Sequence, residues 1–405
     1  MEQNLPTLAD VQAAQELITG IARRTPMRDA RWLSDATGGS VVLKCENLQR
    51  AGSFKIRGAY TRIARLSDEE KAAGVVAASA GNHAQGVALA ARSLGVKATV
   101  FMPIGATLPK VTATRDYGAD VVLQGVTIDE SLAHARAFSE STEAVLVHPF
   151  DHADIVAGQG TCGLEIMQDC PDVDTIVVCM GGGGLAAGVA MVAKTLNPNV
   201  RVVAVQAAGA AAYPASLEAG HPVALTSMST MADGIAVGRP GDVPFALVRD
   251  YVDEVITVSE EEISRALLLL LERSKLVVEP GGGAAVAAIW AHPELFPGRT
   301  VATLSGGNID PLLLMRVVRH GLAAAGRYLS ISVRVPDVPG SLGRLLSDVG
   351  DIGANVVEVE HLRTDPRLAV DEVEIALQLE TRGPAHRTQV LDRLREHAYV
   401  VHVTA

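Results

Sequence analysis

Between Ser40 and about Arg319, short β-branched apolar runs alternate with stretches of helical pattern, and this alternation limits the fold more than any other feature of the 405-residue chain. The strand candidates are Val41–Cys45, Gly74–Ala78, Ala98–Met102, Asp120–Leu123, Ala144–Val147, Thr175–Cys179, Val200–Val205, Glu254–Val258 and Thr300–Leu304. Helical patterns fill most intervals, as at His83–Leu94, Asp129–Ser139, His152–Gln168, Leu185–Leu196 and Glu260–Lys275. Runs such as TIVVC and RVVAV are apolar at successive positions, so both faces of the strand need a cover. The expected fold class is α/β: open, mostly parallel sheets with helices on both faces.

Past Ala323-Ala324-Ala325-Gly326 the pattern changes. Tyr328–Val335 alternates strictly, as in a sheet with one wet face. A Pro/Gly loop, a helical Leu342–Val349, strands near Val356–Leu362 and Val370–Leu379, a helix near Gln389–His397 and a strand Val400–Val403 follow. The order βαββαβ predicts a ferredoxin-like unit. A boundary near Gly326 therefore separates residues 1–326 from residues 327–405.

Composition removes several classes of function. A formal charge of −11 lacks the basic footprint that a phosphate backbone requires, so no nucleic-acid partner is expected. The longest apolar stretch, Cys179–Ala193, is broken by glycines and falls short of the ~20 residues of a membrane span. The N-terminus lacks the basic and apolar regions of a signal peptide. Cys45, Cys162, Cys170 and Cys179 form no C-x-x-C pair, which suits buried thiols in a reducing compartment; the expected location is cytoplasmic.

Glycine-bearing loops sit where strands hand over to helices, the crevice in which open α/β sheets place ligands. Gly181-Gly182-Gly183-Gly184 follows TIVVCM and precedes the helix that opens at Leu185. Backbone amides without Cβ atoms can converge on an anion there, and the helix N-terminus adds positive charge. A tight turn for close helix–sheet packing is the plainer alternative. Lys55, in Gly52-Ser53-Phe54-Lys55-Ile56-Arg57-Gly58, starts a helix among apolar neighbours. Burial and the helix dipole both disfavour its protonated form, which makes a nucleophile for a carbonyl; an arbitrary lysine is otherwise a solvated surface group. Ser79-Ala80-Gly81-Asn82-His83 offers a hydroxyl, an amide and free N–H groups suited to a carboxylate, although His83 reads equally as an ordinary helix-start residue. Leu304-Ser305-Gly306-Gly307-Asn308 ends another strand. Together these are the parts that a pyridoxal-phosphate enzyme acting on an amino acid needs.

The segments ENLQRAGSFKIRGAY, SAGNHAQGVA, AGQGTCGLEI, GGGGLAAG, MADGIAV and SGGNID, spread over about residues 15–320, resemble the motif set of the threonine dehydratases. These belong to the tryptophan-synthase-β-like, fold type II pyridoxal-phosphate enzymes. The resemblance implies a two-lobed catalytic domain whose smaller lobe, about residues 49–148, is inserted in the larger. It implies that Lys55 bonds to the cofactor aldehyde and later acts as the base at Cα, with Phe54 against the ring. Asn82 would reach the ring hydroxyl, and Gly181, Gly182, Gly183, Gly184 and Leu185 would hold the phosphate. Ser305 would face the pyridine nitrogen and Gly234 would lie beside the cofactor. Ser79, Ala80, Gly81, Asn82 and His83 would take the substrate carboxylate. The implied reaction is β-elimination of water from L-threonine or L-serine, giving 2-oxobutanoate or pyruvate and ammonia.

Departures from the family pattern carry their own expectations. Serine racemases of this fold have a serine where this chain has Ala80, so a second-face base is missing and racemisation is not expected. Relatives often carry acidic cation ligands after VVAVQ, whereas this chain reads Ala207-Ala208-Gly209-Ala210-Ala211; no metal site is expected. Glu279-Pro280-Gly281-Gly282-Gly283 is richer in glycine than the family pattern, without an evident reason. The C-terminal unit resembles an ACT domain. That resemblance implies effector contacts at Pro339, Gly340, Ser341, Leu342 and Asn355, with isoleucine or valine as effector, and a homotetramer or homodimer; a purely structural dimerisation module is the alternative. A serine-preferring dehydratase, a β-replacing enzyme like the cysteine synthases, and a catalytically silent amino-acid sensor stay open beside the threonine reading.

Overall fold

Parallel strands with both faces covered dominate the first of two compact units, Met1–Pro311 and Leu312–Ala405. The structure is a computed structural model that describes residues 5–363 and 368–404. The first unit holds β1 (Met27–Asp29), β2 (Ser40–Lys44), β3 (Val75–Ala78), β4 (Ala98–Met102), β5 (Asp120–Leu123), β6 (Val145–Leu146), β7 (Thr175–Cys179), β8 (Arg201–Ala207), β9 (Glu254–Val258) and β10 (Arg299–Thr303). Six of them form one sheet in the order β1-β2-β10-β7-β8-β9, in which only β1 runs antiparallel. The strands between residues 75 and 146 form a separate, fully parallel sheet, β5-β4-β3-β6. Ile176, Val177, Val178, Val202, Val203 and Val301 are wholly buried, which is why their strands read as unbroken apolar runs.

Three of the motif loops, and His148–Phe150 with them, leave the carboxyl ends of parallel strands, whereas two short helical turns separate Lys55 from β2. Ser79–Asn82 follows β3, His148–Phe150 follows β6, Gly181–Gly184 follows β7 and Ser305–Asn308 follows β10. Open α/β sheets bind ligands at those ends.

Several elements depart from the sequence expectation. β1 was not expected: three residues without a β-branched side chain form a strand because they pair with β2 at the sheet edge. The helix expected over Glu260–Lys275 is α-helical only to Leu269; one π turn follows, and Lys275 closes it with φ +57°. The C-terminal helix begins at Pro384, five residues early, because proline at the first turn loses no hydrogen bond.

The second unit contains β11 (Tyr328–Pro336), β12 (Asn355–Leu362), β13 (Glu372–Glu380) and β14 (Val400–Val403), with helices Ser341–Asp351 and Pro384–Glu396. The sheet order β12-β13-β11-β14 is antiparallel throughout, the ferredoxin-like arrangement. Leu329, Ile331, Val333, Ile375, Leu377 and Leu379 line its buried face and meet Leu345, Val349, Val390 and Leu394 from the helices. The division between units falls at Pro311 rather than near Gly326. The helix Pro311–Ala324 groups with the second unit, where Arg319 donates to Tyr328 Oη at 2.9 Å and to Gln378 Oε1 at 2.5 Å. Part of the segment expected as Val370–Leu379 precedes β13, and residues 364–367 before it lie outside the described residues.

Candidate active site

Lys55 is the first residue of the helix Lys55–Ala64, directly after the Phe54 N-cap. Its Nζ donates to Pro149 O at 3.0 Å and lies 5.0 Å from the Phe54 ring centroid. Burial pulls the amine down from its usual range to about 8, while Glu279 and Cys179 pull it back up. About one amine in ten is then neutral at pH 7, against about one in three thousand for an unperturbed lysine. This is a poised nucleophile.

The pocket that holds Lys55 is lined by Phe54, Pro149, Phe150, Gln159, Gly181–Gly184, Leu185 and Gly234. Gly183 takes φ +99° as N-cap of the helix Gly184–Leu196, a conformation that suits glycine. A Cβ there would run into the Tyr213 hydroxyl, and one at Gly182 would stand 2.5 Å from the Phe150 ring. Packing and function therefore demand glycine together at this turn. The first N–H groups of the helix have no intrahelical acceptor and face a wall of the pocket, where they would attract an anion.

Asn82 opens the helix Asn82–Leu94, which packs so closely that a Cβ at Gly86 would be 3.1 Å from Lys55 Cβ. Ser305 is 3% exposed; its carbonyl accepts from Phe54 N–H at 3.1 Å, and its hydroxyl is a hydrogen-bond partner of the Cys179 thiol. In the Ser79–His83 loop the Ser79 hydroxyl accepts from Gly81 N–H at 3.1 Å. Ser79, Ala80, Gly81 and Asn82 are half-buried and accessible. The His83 side chain is turned away from that role. Its Nε2 is 2.8 Å from Val147 O, which can only accept, and burial pushes its pKa down to about 3, so it is neutral and committed. Only its backbone N–H is available to a substrate.

The expected effector residues do not converge within one chain. Pro339, Gly340, Ser341 and Leu342 follow the Pro336 end of β11, whereas Asn355 pairs with Glu380, which itself pairs with Tyr328 at the other end. That places them roughly 25 Å apart along the strand direction. Asn355 instead lies 3.4 Å from Glu380 Oε2.

Sequence reasoning missed three groups around the site. Glu279 accepts from Asn82 Nδ2 at 2.6 Å, and Asn308 Nδ2 donates to Asn82 Oδ1 at 2.8 Å. Gln159 lines the pocket with a buried Oε1 that has no hydrogen-bond partner. On the Lys55 helix itself, Arg57 is wholly buried and grips two carboxylates, Glu46 at 2.8 and 2.9 Å and Glu165 at 2.8 and 2.9 Å. Lys44 completes this neutral cluster at 2.5 Å from Glu165. Burial alone would raise the Glu46 carboxyl, but the Arg57 guanidinium wins and holds it below the usual range. One signal was available: Lys44 interrupts the apolar strand SVVLK.

The family model described as pyridoxal-phosphate dependent enzyme matches residues 18–307. An L-threonine ammonia-lyase of Thermotoga maritima is 46% identical over 98% of this chain and 99% of its own length. A catabolic L-threonine dehydratase of Escherichia coli is 42% identical over 74% of this chain and 92% of its own. The processed form of threonine deaminase isoform 2 from Solanum lycopersicum superposes with a TM-score of 0.75 and 37% identity, covering 79% of this chain and 91% of that one. A lowered lysine amine that can meet an aldehyde and a glycine turn whose helix N–H groups can meet a phosphate share one pocket, and the two together fit an aldehyde-bearing phosphate ester. The chain belongs to the pyridoxal-phosphate dependent enzymes.

Proposed function

We infer that this chain is an L-threonine ammonia-lyase, converting L-threonine to 2-oxobutanoate and ammonia and accepting L-serine to give pyruvate. The observation that carries the reading is Lys55: a largely desolvated amine in the pocket walled by the Gly181–Leu185 turn. When bound, the cofactor supplies the electron sink that lets the Cα proton and then the β-hydroxyl leave. Gly181–Leu185 N–H groups would hold its phosphate, Asn82 its ring hydroxyl and Ser305 its pyridine nitrogen. Lys55 Nζ, in the pocket beside the glycine turn, would take the Cα proton of the bound substrate. Ser305, a hydroxyl rather than a carboxylate, would not hold the ring nitrogen protonated, and that weaker electron sink would favour elimination. The backbone N–H groups of Ser79–His83 receive the substrate carboxylate.

The ACT-like unit supports control by an amino-acid effector, isoleucine with valine opposing it, and effector and substrate must then alter each other's binding reciprocally. Because Asn355 and the Pro339–Leu342 turn are far apart in one chain, an effector site using both draws on two copies, in keeping with a homodimer or homotetramer. Four buried free thiols fit a reducing, cytoplasmic setting.

The test is an oxo-acid assay with L-threonine and L-serine, with and without isoleucine. L-Threonine should yield 2-oxobutanoate and equimolar ammonia, and Lys55→Ala should abolish turnover. A yellow, cofactor-loaded protein that releases no oxo acid from either substrate overturns the assignment.

A further inference from the structure

The segment Glu279-Pro280-Gly281-Gly282-Gly283 has no part in the reaction as described, yet it sets a carboxyl group among the cofactor residues. Glu279 is 4% exposed and stands at the N-cap of the helix Pro280–Ala291. Its N–H donates to Gly306 O at 3.0 Å, which ties it to the residue after Ser305. Its Oε1 accepts from Asn82 Nδ2 at 2.6 Å. The other end of the same amide is also fixed, because Asn82 Oδ1 accepts from Asn308 Nδ2 and Asn308 is held in turn by Ala51 O at 2.7 Å. One Nδ2 hydrogen of Asn82 is thus left to donate elsewhere.

Two glycines keep this arrangement open. A Cβ at Gly306 would collide with Glu279 Oε1, and one at Gly234 would come within 3.2 Å of it. The contrast with Glu46 and Glu165 is instructive: those buried carboxylates hold Arg57 directly, whereas Glu279 meets an amide. The charged and titratable groups facing it come from four elements. They are Asp233 from the Asp233–Ile235 turn, Lys110 from the helix Leu108–Asp116, Lys55, and the Cys179 thiol at the end of β7. Asp233 is itself paired with Lys110.

We propose that Glu279 is a positioning residue for the cofactor: it fixes the Asn82 amide so that the remaining N–H meets the ring hydroxyl, a contact that then depends on whether the carboxyl carries its proton. The proposal rests on the pyridoxal-phosphate reading and extends it to a residue that need not touch the substrate. Burial, helped by Asp233, raises the Glu279 carboxyl to about 7, against the Asn82 hydrogen bond, Lys110 and Lys55, which lower it. Above that point the ionised oxygen accepts from Nδ2 more strongly, and below it the neutral acid holds Asn82 less firmly.

The test measures the dissociation constant of pyridoxal phosphate by equilibrium dialysis at pH 6 and pH 8, in a Lys55→Ala background so that the amine does not titrate. Glu279→Ala and Asn82→Ala should each weaken binding about tenfold, the loss of one hydrogen bond. The double variant should be no weaker than Asn82→Ala alone, because Glu279 acts through that amide. Glu279→Gln keeps an oxygen acceptor, so it should bind nearly as tightly at pH 8 while losing the extra pH dependence of its parent. Additive losses in the double variant, or an unchanged pH dependence in Glu279→Gln, overturn the proposal. Should Glu279→Ala not fold, Glu279→Gln decides alone. A wild-type chain that fails to bind pyridoxal phosphate at all would instead defeat the cofactor reading.

Discussion

Lys55 and Glu279 have been moved toward each other on the pH scale, the amine down to about 8 and the acid up to about 7, and burial is the largest cause of both shifts. Such convergence costs stability. A carboxyl that ionises near 4.5 when unfolded and near 7 when folded keeps its proton in the native state while the unfolded chain gives it up. Stability from this group is therefore fully present below about 4.5 and is lost as pH rises through about 7. Across that window the loss amounts to about 3 kcal/mol. His83 and His148, pushed by burial to about 3 and about 4, act in the opposite sense, since only the unfolded chain takes their protons below about 6.5. The comparison must cancel them. Urea unfolding of cofactor-free protein at pH 5 and pH 7.5 should show Glu279→Gln gaining on the parent as pH rises. An equal difference at both values would mean that Glu279 titrates normally. None of this was legible in the sequence, where Glu279 is one acidic residue before a proline; its significance comes from Asn82, 197 positions away.

At the scale of elements, the helix Ala153–Asp169 sets the active site by lying between two functional helices with glycines at both seams. A Cβ at Gly158 would stand 2.6 Å from Gly58 Cα and Arg57 O, on the Lys55 helix. On the other side, a Cβ at Gly188 would stand 2.6 Å from Gly160 N and Val156 O, and one at Gly163 would be 2.9 Å from Val189 Cα. Lys55 and the glycine turn are thereby registered against one common element. The segment AGQGTCGLEI could be read as part of a family pattern, but the seam needed coordinates, because its contacts join residues from distant parts of the chain. Elsewhere the elements were plain: β4 and β7 have the bounds that their apolar runs predict, since full burial writes itself into every position, and β5 and β9 match as well although most of their residues are only partly buried or exposed. The edge strand β1, stabilised by its neighbour, had no such imprint. The seam makes a signed prediction. Gly→Ala inside a helix ordinarily gains up to about 1 kcal/mol. Gly343, with nothing within 4 Å of its would-be Cβ, should show that gain in the second unit's thermal transition, whereas Gly188→Ala should lower the first unit's, because backbone atoms cannot yield. A stabilised Gly188→Ala would show that the helices do not meet so closely.

For the whole molecule, one fully parallel sheet, one mostly parallel sheet and one antiparallel sheet make up two units with separate cores. In the first unit the loops after β6 and β7 line the Lys55 pocket, while the loops after β3 and β10 meet through the Asn82 amide, which Asn308 and Glu279 hold. The second unit has its own core, with Leu329, Val333, Leu345, Ile375, Leu377 and Leu394 wholly buried, and none of the active-site residues. Its βαββαβ order was legible chiefly through β11 and β13, whose buried residues recur at every second position over most of their length. The placement of helix Pro311–Ala324 was not, because a mostly exposed amphipathic helix is assigned by partners such as Tyr328 and Gln378 rather than by its own pattern. The proposed control by an effector at the second unit predicts separable losses. A chain ending at Pro311 should bind pyridoxal phosphate, keep its visible absorbance and release 2-oxobutanoate from L-threonine, yet show no change in kcat/KM when isoleucine is added. The full-length chain should respond. If truncation abolished cofactor binding, the second unit would be part of the catalytic fold; if the shortened chain still responded to isoleucine, the effector site would lie among the first 311 residues and the ACT-like unit would be left without that role.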